Sequence, residues 1–128
     1  MSADLRAALA ALERSPLSRR KAMLLILMID AEVERRAAGD PLAHRIAVAA
    51  SDPSLALVLE VAGMRDDGPR LVTAPVTLAD HETLQVSEAD YMVSLYNAGE
   101  VWRLFTAWPD GRRVEALPTL RAAVTSLG

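Results

Sequence analysis

The sequence predicts an α+β fold. N-terminal helices, including one long central helix, pack on a small C-terminal antiparallel β-meander that is followed by a terminal helix. Helical spacing of apolar residues and proline-marked helix starts cover residues 1–63. Strand-like segments with glycine turns cover residues 70–117, and helical spacing returns over 118–127. The length of 128 residues predicts a single domain over 1–128.

Three helix starts in the N-terminal half share one signal. In each, a serine or an aspartate stands at the cap position and a proline takes the first helical position. Ser15-Pro16 begins the predicted long helix over residues 16–38. Asp40-Pro41 and Asp52-Pro53 begin the two shorter helices that follow it.

Two segments of the sequence are compatible with either a helix or a strand. Residues 55–61 alternate as a strand does, but their Asp-Pro start and the glycine after them favour a helix. For residues 88–97, the glycine turns on both sides of the segment VWRLFTAW favour a hairpin whose first strand is YMVSLY. The alternative is a helix over 88–97 that is capped by Ser87.

Composition excludes several classes of site. Hydrophobic residues make up 52% of the chain and aromatic residues only 4%, so the predicted core is aliphatic. The absence of cysteine excludes disulfides and thiolate metal sites. The two histidines lack a partner at metal-binding spacing, and no glycine-rich nucleotide loop occurs. We therefore predict no metal and no cofactor, identify no catalytic residue, and favour a non-enzymatic role.

Charge and hydropathy exclude two kinds of partner. The net charge of −3 argues against nucleic acid, because binding to phosphates requires clustered positive charge. The apolar run in RRKAMLLILMID is too short to cross a membrane, and acidic residues follow it where a signal peptide would have a cleavage site. The sequence thus predicts no nucleic acid, no membrane and a cytoplasmic location.

The predicted long helix carries apolar residues on two opposite sides. One side holds Ala22, Leu25, Ile26, Ile29 and Val33. The other holds Leu24, Leu27, Met28 and Ala31. Exposing the second side would forfeit about 1.5–3 kcal/mol for each large side chain, so we expect it to be covered within the chain or by a second copy. A homodimer through Leu24, Leu27, Met28 and Ala31 is slightly favoured.

The acidic residue at the end of the apolar run needs a charged neighbour. Asp30 follows seven apolar side chains in the middle of the predicted long helix. Because an isolated buried carboxylate is costly, we expect Asp30 to lie at the boundary of the core beside an arginine, or at a subunit edge.

The aromatic residues are confined to residues 91–108. They predict either anchors between sheet and helices or a ligand pocket between the two. The candidate pocket residues are Tyr96, Trp102 and Trp108, with polar groups from Arg103, Glu115 and His81. Anchoring is the simpler interpretation, because aromatic side chains favour strands in any case.

Two functions follow from these features. The favoured one is a non-catalytic, self-associating interaction module with the double-sided helix and the aromatic sheet as its contact surfaces. The alternative is a small-molecule binding protein or enzyme that uses the aromatic pocket.

Overall fold

The computed structural model describes residues 2–77, 87–97 and 99–128. Its helices are α1 (Ser2–Arg14), α2 (Arg19–Arg35), α3 (Pro41–Ser51), α4 (Pro53–Ala62), α5 (Glu88–Ser94) and α6 (Ala116–Leu127). Its strands are β1 (Arg70–Thr77), β2 (Glu100–Ala107) and β3 (Arg113–Glu115). The strands form an antiparallel sheet in the order β1-β2-β3. This arrangement confirms the predicted α+β class.

Helices α3 and α4 begin where the sequence predicts. The Asp40 carboxylate accepts a hydrogen bond from the Leu42 amide at 3.1 Å, and Pro41 takes the first helical position. The Asp52 carboxylate accepts two bonds, from the amides of Ser54 and Leu55. Residues 55–61 are therefore helical, because the aspartate satisfies amide groups that a helix start leaves without partners.

Helix α2 is shorter than predicted at both ends. Its cap is Ser18 instead of Ser15, and the Ser18 hydroxyl accepts from the Lys21 amide at 3.1 Å. Ser15 instead closes the end of α1 and the turn that follows, because its amide donates to Leu12 and its carbonyl accepts from Ser18. The helix ends at Arg35, short of the predicted residue 38. The residues that were predicted to be helical at both ends lie instead in the connections from α1 and to α3.

The predicted strand YMVSLY is wrong, and the alternative helix is correct. Ser87 caps α5 with a reciprocal pair of hydrogen bonds: its hydroxyl accepts from the Asp90 amide, and its own amide donates to the Asp90 carboxylate. Gly99 has the positive φ expected of a hairpin glycine, but it stands after a helix. Gly99 stands in the turn that leads into β2, and a left-handed glycine suits that turn whether a helix or a strand precedes it, so the glycine signal did not distinguish the two.

The segments RLVTAPVT, VWRLFTA and RVE are strands as predicted, but the partner of β2 in place of YMVSLY is β1. β1 pairs with β2 along its whole length, from Arg70 opposite Ala107 to Thr77 opposite Glu100. β2 then turns through Gly111, whose φ is +94°, into the short β3. β3 pairs only with the last three residues of β2, and α6 begins directly after it at Ala116, earlier than the predicted residue 118.

One aliphatic core lies among α1, α2, α4, α6 and the inner face of β2. α2 contributes its buried side, which consists of Ala22, Leu25, Ile26, Ile29 and Val33. Leu104 enters this core from the sheet, while Val101 and Phe105 pack with Val76 on the opposite face of the sheet. Within the described residues, no helix is both long enough and apolar enough to span a membrane.

A buried ion cluster fastens the end of α2 to the end of α6. The Glu32 side chain is only 1% exposed and accepts hydrogen bonds from the guanidinium groups of Arg35 and Arg36. Arg36 also donates to the backbone carbonyl of Leu127 at the end of α6. The bonds from Arg35 outweigh burial, which acts in the opposite direction, and together with those from Arg36 they lower the pKa of Glu32 from 4.5 to about 2.

Acid should therefore weaken the fold through Glu32. Because the pKa is depressed in the folded state, the ionised carboxylate stabilises the fold above about pH 4.5. That contribution is lost as the pH falls from 4.5 towards 2. In urea unfolding at a series of pH values, Glu32→Gln should be less stable than the wild type at neutral pH, and the difference should shrink below pH 4.5. Glu60→Gln, which changes an exposed glutamate of α4, is the control and should follow the wild type.

Candidate functional site

Helix α3 presents its apolar residues to solvent. Leu42 and Ile46, one turn apart, are 64% and 62% exposed, and Ala50 continues the same stripe. The half-buried side of the helix carries His44, Arg45, Val48 and Ala49, of which Val48 packs against the core, and α3 has no buried residue. A helix that packs only against its own chain normally turns its apolar stripe inward. The exposed Leu42 and Ile46 make α3 a candidate for part of a contact surface.

Helix α2 exposes part of its second apolar side. Leu24 is 56% exposed and Leu27 is 41% exposed, and Ala31 is exposed one turn further along. Met28, the fourth residue predicted for this side, is half-buried and packs against the core. The described part of the chain thus leaves three of these four residues exposed.

Polar contacts join α2 and α3 and set the direction of both exposed stripes. Arg45 of α3 donates to the carboxylate of Asp30 at 2.6 Å and to that of Glu34 at 3.3 Å. On each helix these groups lie between the half-buried side and the exposed apolar stripe. Each helix thus exposes an apolar stripe beside these ion pairs, and the two stripes together form one candidate surface. We call this surface the outer face, and it comprises Leu24, Leu27, Ala31, Leu42 and Ile46.

The outer face carries opposite charges at its two ends. Arg20, Leu27 and Glu34 follow one another at intervals of seven residues along α2. Seven residues are nearly two turns, so the three side chains lie almost on one line along the helix. Arg20 and Glu34 are both exposed. The face therefore has Arg20 at one end, apolar residues in the middle, and at the other end Glu34, whose carboxylate also accepts a hydrogen bond from Arg45.

A separate cleft lies where β3 ends and the edge of β2 continues beyond it. Its volume is about 650 Å³, and it is bounded by β2, the start of α6, the start of α5 and the turn between α1 and α2. Trp102, Arg103 and Glu115, three of the residues predicted for a ligand pocket, line it. Trp102 is half exposed in the cleft, with Leu117 and Pro118 among the other lining residues.

Arg103 organises the charged part of this cleft. Its guanidinium bonds both oxygens of Asp90, at 3.1 and 2.5 Å, and its Nε donates to Glu115 at 3.0 Å. Burial alone would raise the pKa of Asp90, but hydrogen bonds from Arg103 and Ser87 outweigh it and lower that pKa. Because Arg103 joins α5 to β2 and to the end of β3, the ion pairs have a structural role.

The structure does not bring the other predicted pocket residues to this cleft. Tyr96 is 85% exposed in the turn after α5. Trp108 lies at the opposite end of β2, where the guanidinium of Arg112 stacks 4.7 Å from the centre of its ring. His81 lies outside the described residues. The predicted aromatic pocket is thus assembled only in part. Tyr96 follows the helix α5 and is exposed, and Trp102 and Trp108 lie near opposite ends of β2.

Several residues of these surfaces were missed by reasoning from the sequence. Leu42 and Ile46 stand at helical spacing in α3, but that spacing does not tell which way the helix faces. Asp90 follows Ser87 at the spacing of a capping box, and this signal favours the helix that the structure shows. Glu32 carries no signal of burial in the sequence, because its partners are the arginines that follow it.

The chain offers little further evidence of chemistry. Among residues 2–77, 87–97 and 99–128, no group of three side chains from His, Asp or Glu is placed to hold a metal ion. In comparisons with known proteins, no family model, no curated protein and no solved structure matches this chain. The outer face and the cleft are therefore the features of this chain that bear on its function.

Proposed function

We propose that this chain is a non-catalytic, self-associating interaction module that forms a homodimer through the outer face. The orientation of α3 carries the proposal: Leu42 and Ile46 point to solvent beside the exposed Leu24 and Leu27 of α2. Apolar patches of this kind, rimmed by charged residues, are typical of protein contact surfaces. A cytoplasmic location is part of the proposal and rests on the composition of the chain.

The charges of the outer face favour a second copy as the partner. A two-fold axis through Leu27, with the two α2 helices antiparallel, places Arg20 of each copy beside Glu34 of the other. A parallel pair would instead place Arg20 beside Arg20 and Glu34 beside Glu34, which is repulsive. The face is therefore complementary to itself in one orientation only. In that orientation, α3 of each copy flanks the paired helices.

The expected affinity is low. Leu24, Leu27, Leu42 and Ile46 are each roughly half exposed, so covering them contributes about 3–7 kcal/mol per copy. Association costs about 4–15 kcal/mol in lost freedom of motion. The gain from two copies, about 6–14 kcal/mol, exceeds this cost only slightly, so we expect weak association, with dissociation at about high micromolar concentrations.

The mass of the protein as a function of concentration tests the proposal. In sedimentation velocity, the wild type should shift from monomer to dimer as its concentration rises through the micromolar range. The double variant Leu24→Glu/Leu27→Glu should stay monomeric, because it buries charge in the contact, and it should keep the helical circular dichroism of the wild type. Leu95→Glu is the matched control, since Leu95 is 61% exposed outside the outer face, and it should dimerise normally. A wild type that stays monomeric at several hundred micromolar would contradict the proposal.

Disulfide crosslinking tests the orientation, and the chain suits it because it contains no cysteine. A disulfide requires Cα atoms about 4.4–6.8 Å apart. Leu27→Cys should crosslink to itself, because the proposed axis passes through this position. Arg20→Cys alone should not crosslink, because its two copies would be about 21 Å apart along the axis at about 1.5 Å per residue. A mixture of Arg20→Cys and Glu34→Cys chains should form the mixed dimer.

The crosslinking result separates the orientation from the association. Self-crosslinking of Arg20→Cys together with that of Glu34→Cys would show a parallel pair. Such a result would overturn the antiparallel arrangement while leaving the dimer itself supported by the mass measurement.

A further inference from the structure

A groove rich in arginine lies beside the start of α2. It has a volume of about 420 Å³ and runs between the first turns of α2, the end of α4 and the start of β1. Arg19, Arg20, Arg65 and Arg70 line it. No carboxylate side chain is among its described lining residues. Four guanidinium groups around one groove repel one another in the absence of an anion.

Acidic residues near the groove neutralise only part of the positive charge of its four arginines. Asp67 pairs with Arg65 at 3.4 Å on the exposed loop, and Arg70 reaches the backbone carbonyl of Asp66 at 3.5 Å. In the part of the chain that the structure describes, neither Arg19 nor Arg20 has an acidic partner. Three of the four charges thus have no carboxylate to neutralise them there.

The position of Arg19 and Arg20 strengthens the positive field. They stand in the first turn of α2, which contains no acidic residue. The start of a helix carries a partial positive charge and favours acidic side chains, so cations there work against the stability of the helix. An arrangement that costs stability is expected where it serves binding.

The rest of the groove is apolar. Met23, Val61, Pro69 and Leu71 contribute to its walls. Met64 stands at its edge, 65% exposed, with a φ of 50° that lies in the left-handed region. Met64 follows Gly63, the C-cap of α4, and a left-handed residue at that position is an ordinary way for a helix to end. Methionine side chains are flexible and adapt to aliphatic ligands.

We infer that this groove binds a small amphipathic anion, whose carboxylate or phosphate head group contacts the arginines and whose aliphatic chain lies against Met23, Met64 and Leu71. The guanidinium group suits both head groups, because its planar donors match their oxygens in pairs. The volume falls within the range of about 300–1,000 Å³ typical of ligand pockets. This site is separate from the proposed dimer contact except for Arg20, which lies at the end of both.

Titration calorimetry with four probes tests the chemistry. Decyl phosphate and decanoate, each below its micelle concentration, should bind, and higher salt should weaken their binding. Inorganic phosphate supplies the head group alone and decanol the chain alone, and each should bind roughly tenfold or more weakly. Equal binding of decanol and decyl phosphate would overturn the inference, because the arginines would then contribute nothing.

A pair of charge-matched variants tests the location. Arg19→Ala/Arg70→Ala should weaken decyl phosphate binding roughly tenfold or more, while Arg20 is left in place for the dimer contact. Arg6→Ala/Arg14→Ala removes the same charge from exposed positions of α1 and should bind as the wild type does. Equal weakening in both variants would show a general charge effect and overturn the site.

The methionine methyl groups give a readout that is independent of affinity. With ¹³C-methyl methionine, the signals of Met23 and Met64 should shift on addition of decyl phosphate, while that of Met92 in α5 should not. A shift of Met92 without any shift of Met23 would overturn the location. Binding to vesicles of anionic phospholipid, with no binding of decyl phosphate, would indicate a membrane surface as the partner and would overturn the inference of a small ligand.

Discussion

The structure depends on one constraint, which is that α2 is apolar on two sides while the described chain covers only one. The buried side of α2 meets α1, α4 and α6, and it supplies Leu25, Ile26 and Ile29 at the centre of the core. The helix that follows it, α3, packs Val48 against the core and pairs Arg45 with Asp30. Leu42 and Ile46 of α3 are exposed as well, so both helices contribute apolar side chains to the candidate outer face.

Ion pairs on two sides of α2 hold the helix against its neighbours. On one side, Arg36 bonds both Glu32 and the end of α6. On the other side, Asp30 and Glu34 accept hydrogen bonds from Arg45 of α3. A buried carboxylate such as Glu32 is tolerated only with partners that satisfy its oxygens. The helix is thus fixed in rotation about its own axis, and with it the direction of Leu24 and Leu27. A contact surface on a fixed helix needs little ordering when a partner binds.

The sequence predicts the parts of this fold that local chemistry determines. The caps Asp40 and Asp52 set the starts of α3 and α4, and the buried stripe of α2 follows from its periodicity. The arginine expected beside Asp30 is present as Arg45. Residues 88–97 were assigned to the wrong element because the left-handed Gly99 suits the turn before β2 whether a helix or a strand precedes it.

The candidate surfaces depend on tertiary packing and could be predicted only in part. The second stripe of α2 is visible in the sequence, but the half-burial of Met28 depends on where the neighbouring elements pack. The outward direction of Leu42 follows from the pairing of Arg45 with α2, which no local pattern shows. The groove brings Arg19 together with Arg65 and Arg70, which are distant in sequence, so its charge appears only in the folded chain.

Contacts between methyl groups of two copies test the central claim most directly. A concentrated sample is prepared from equal amounts of chains with ¹³C-labelled leucine and isoleucine methyl groups and of unlabelled chains. Isotope-filtered nuclear Overhauser spectra then record only the contacts between copies. The account predicts such contacts for the methyl groups of Leu24, Leu27 and Ile46, and none for Leu95. The absence of contacts from Leu24 and Leu27, or contacts only from another surface, would contradict it.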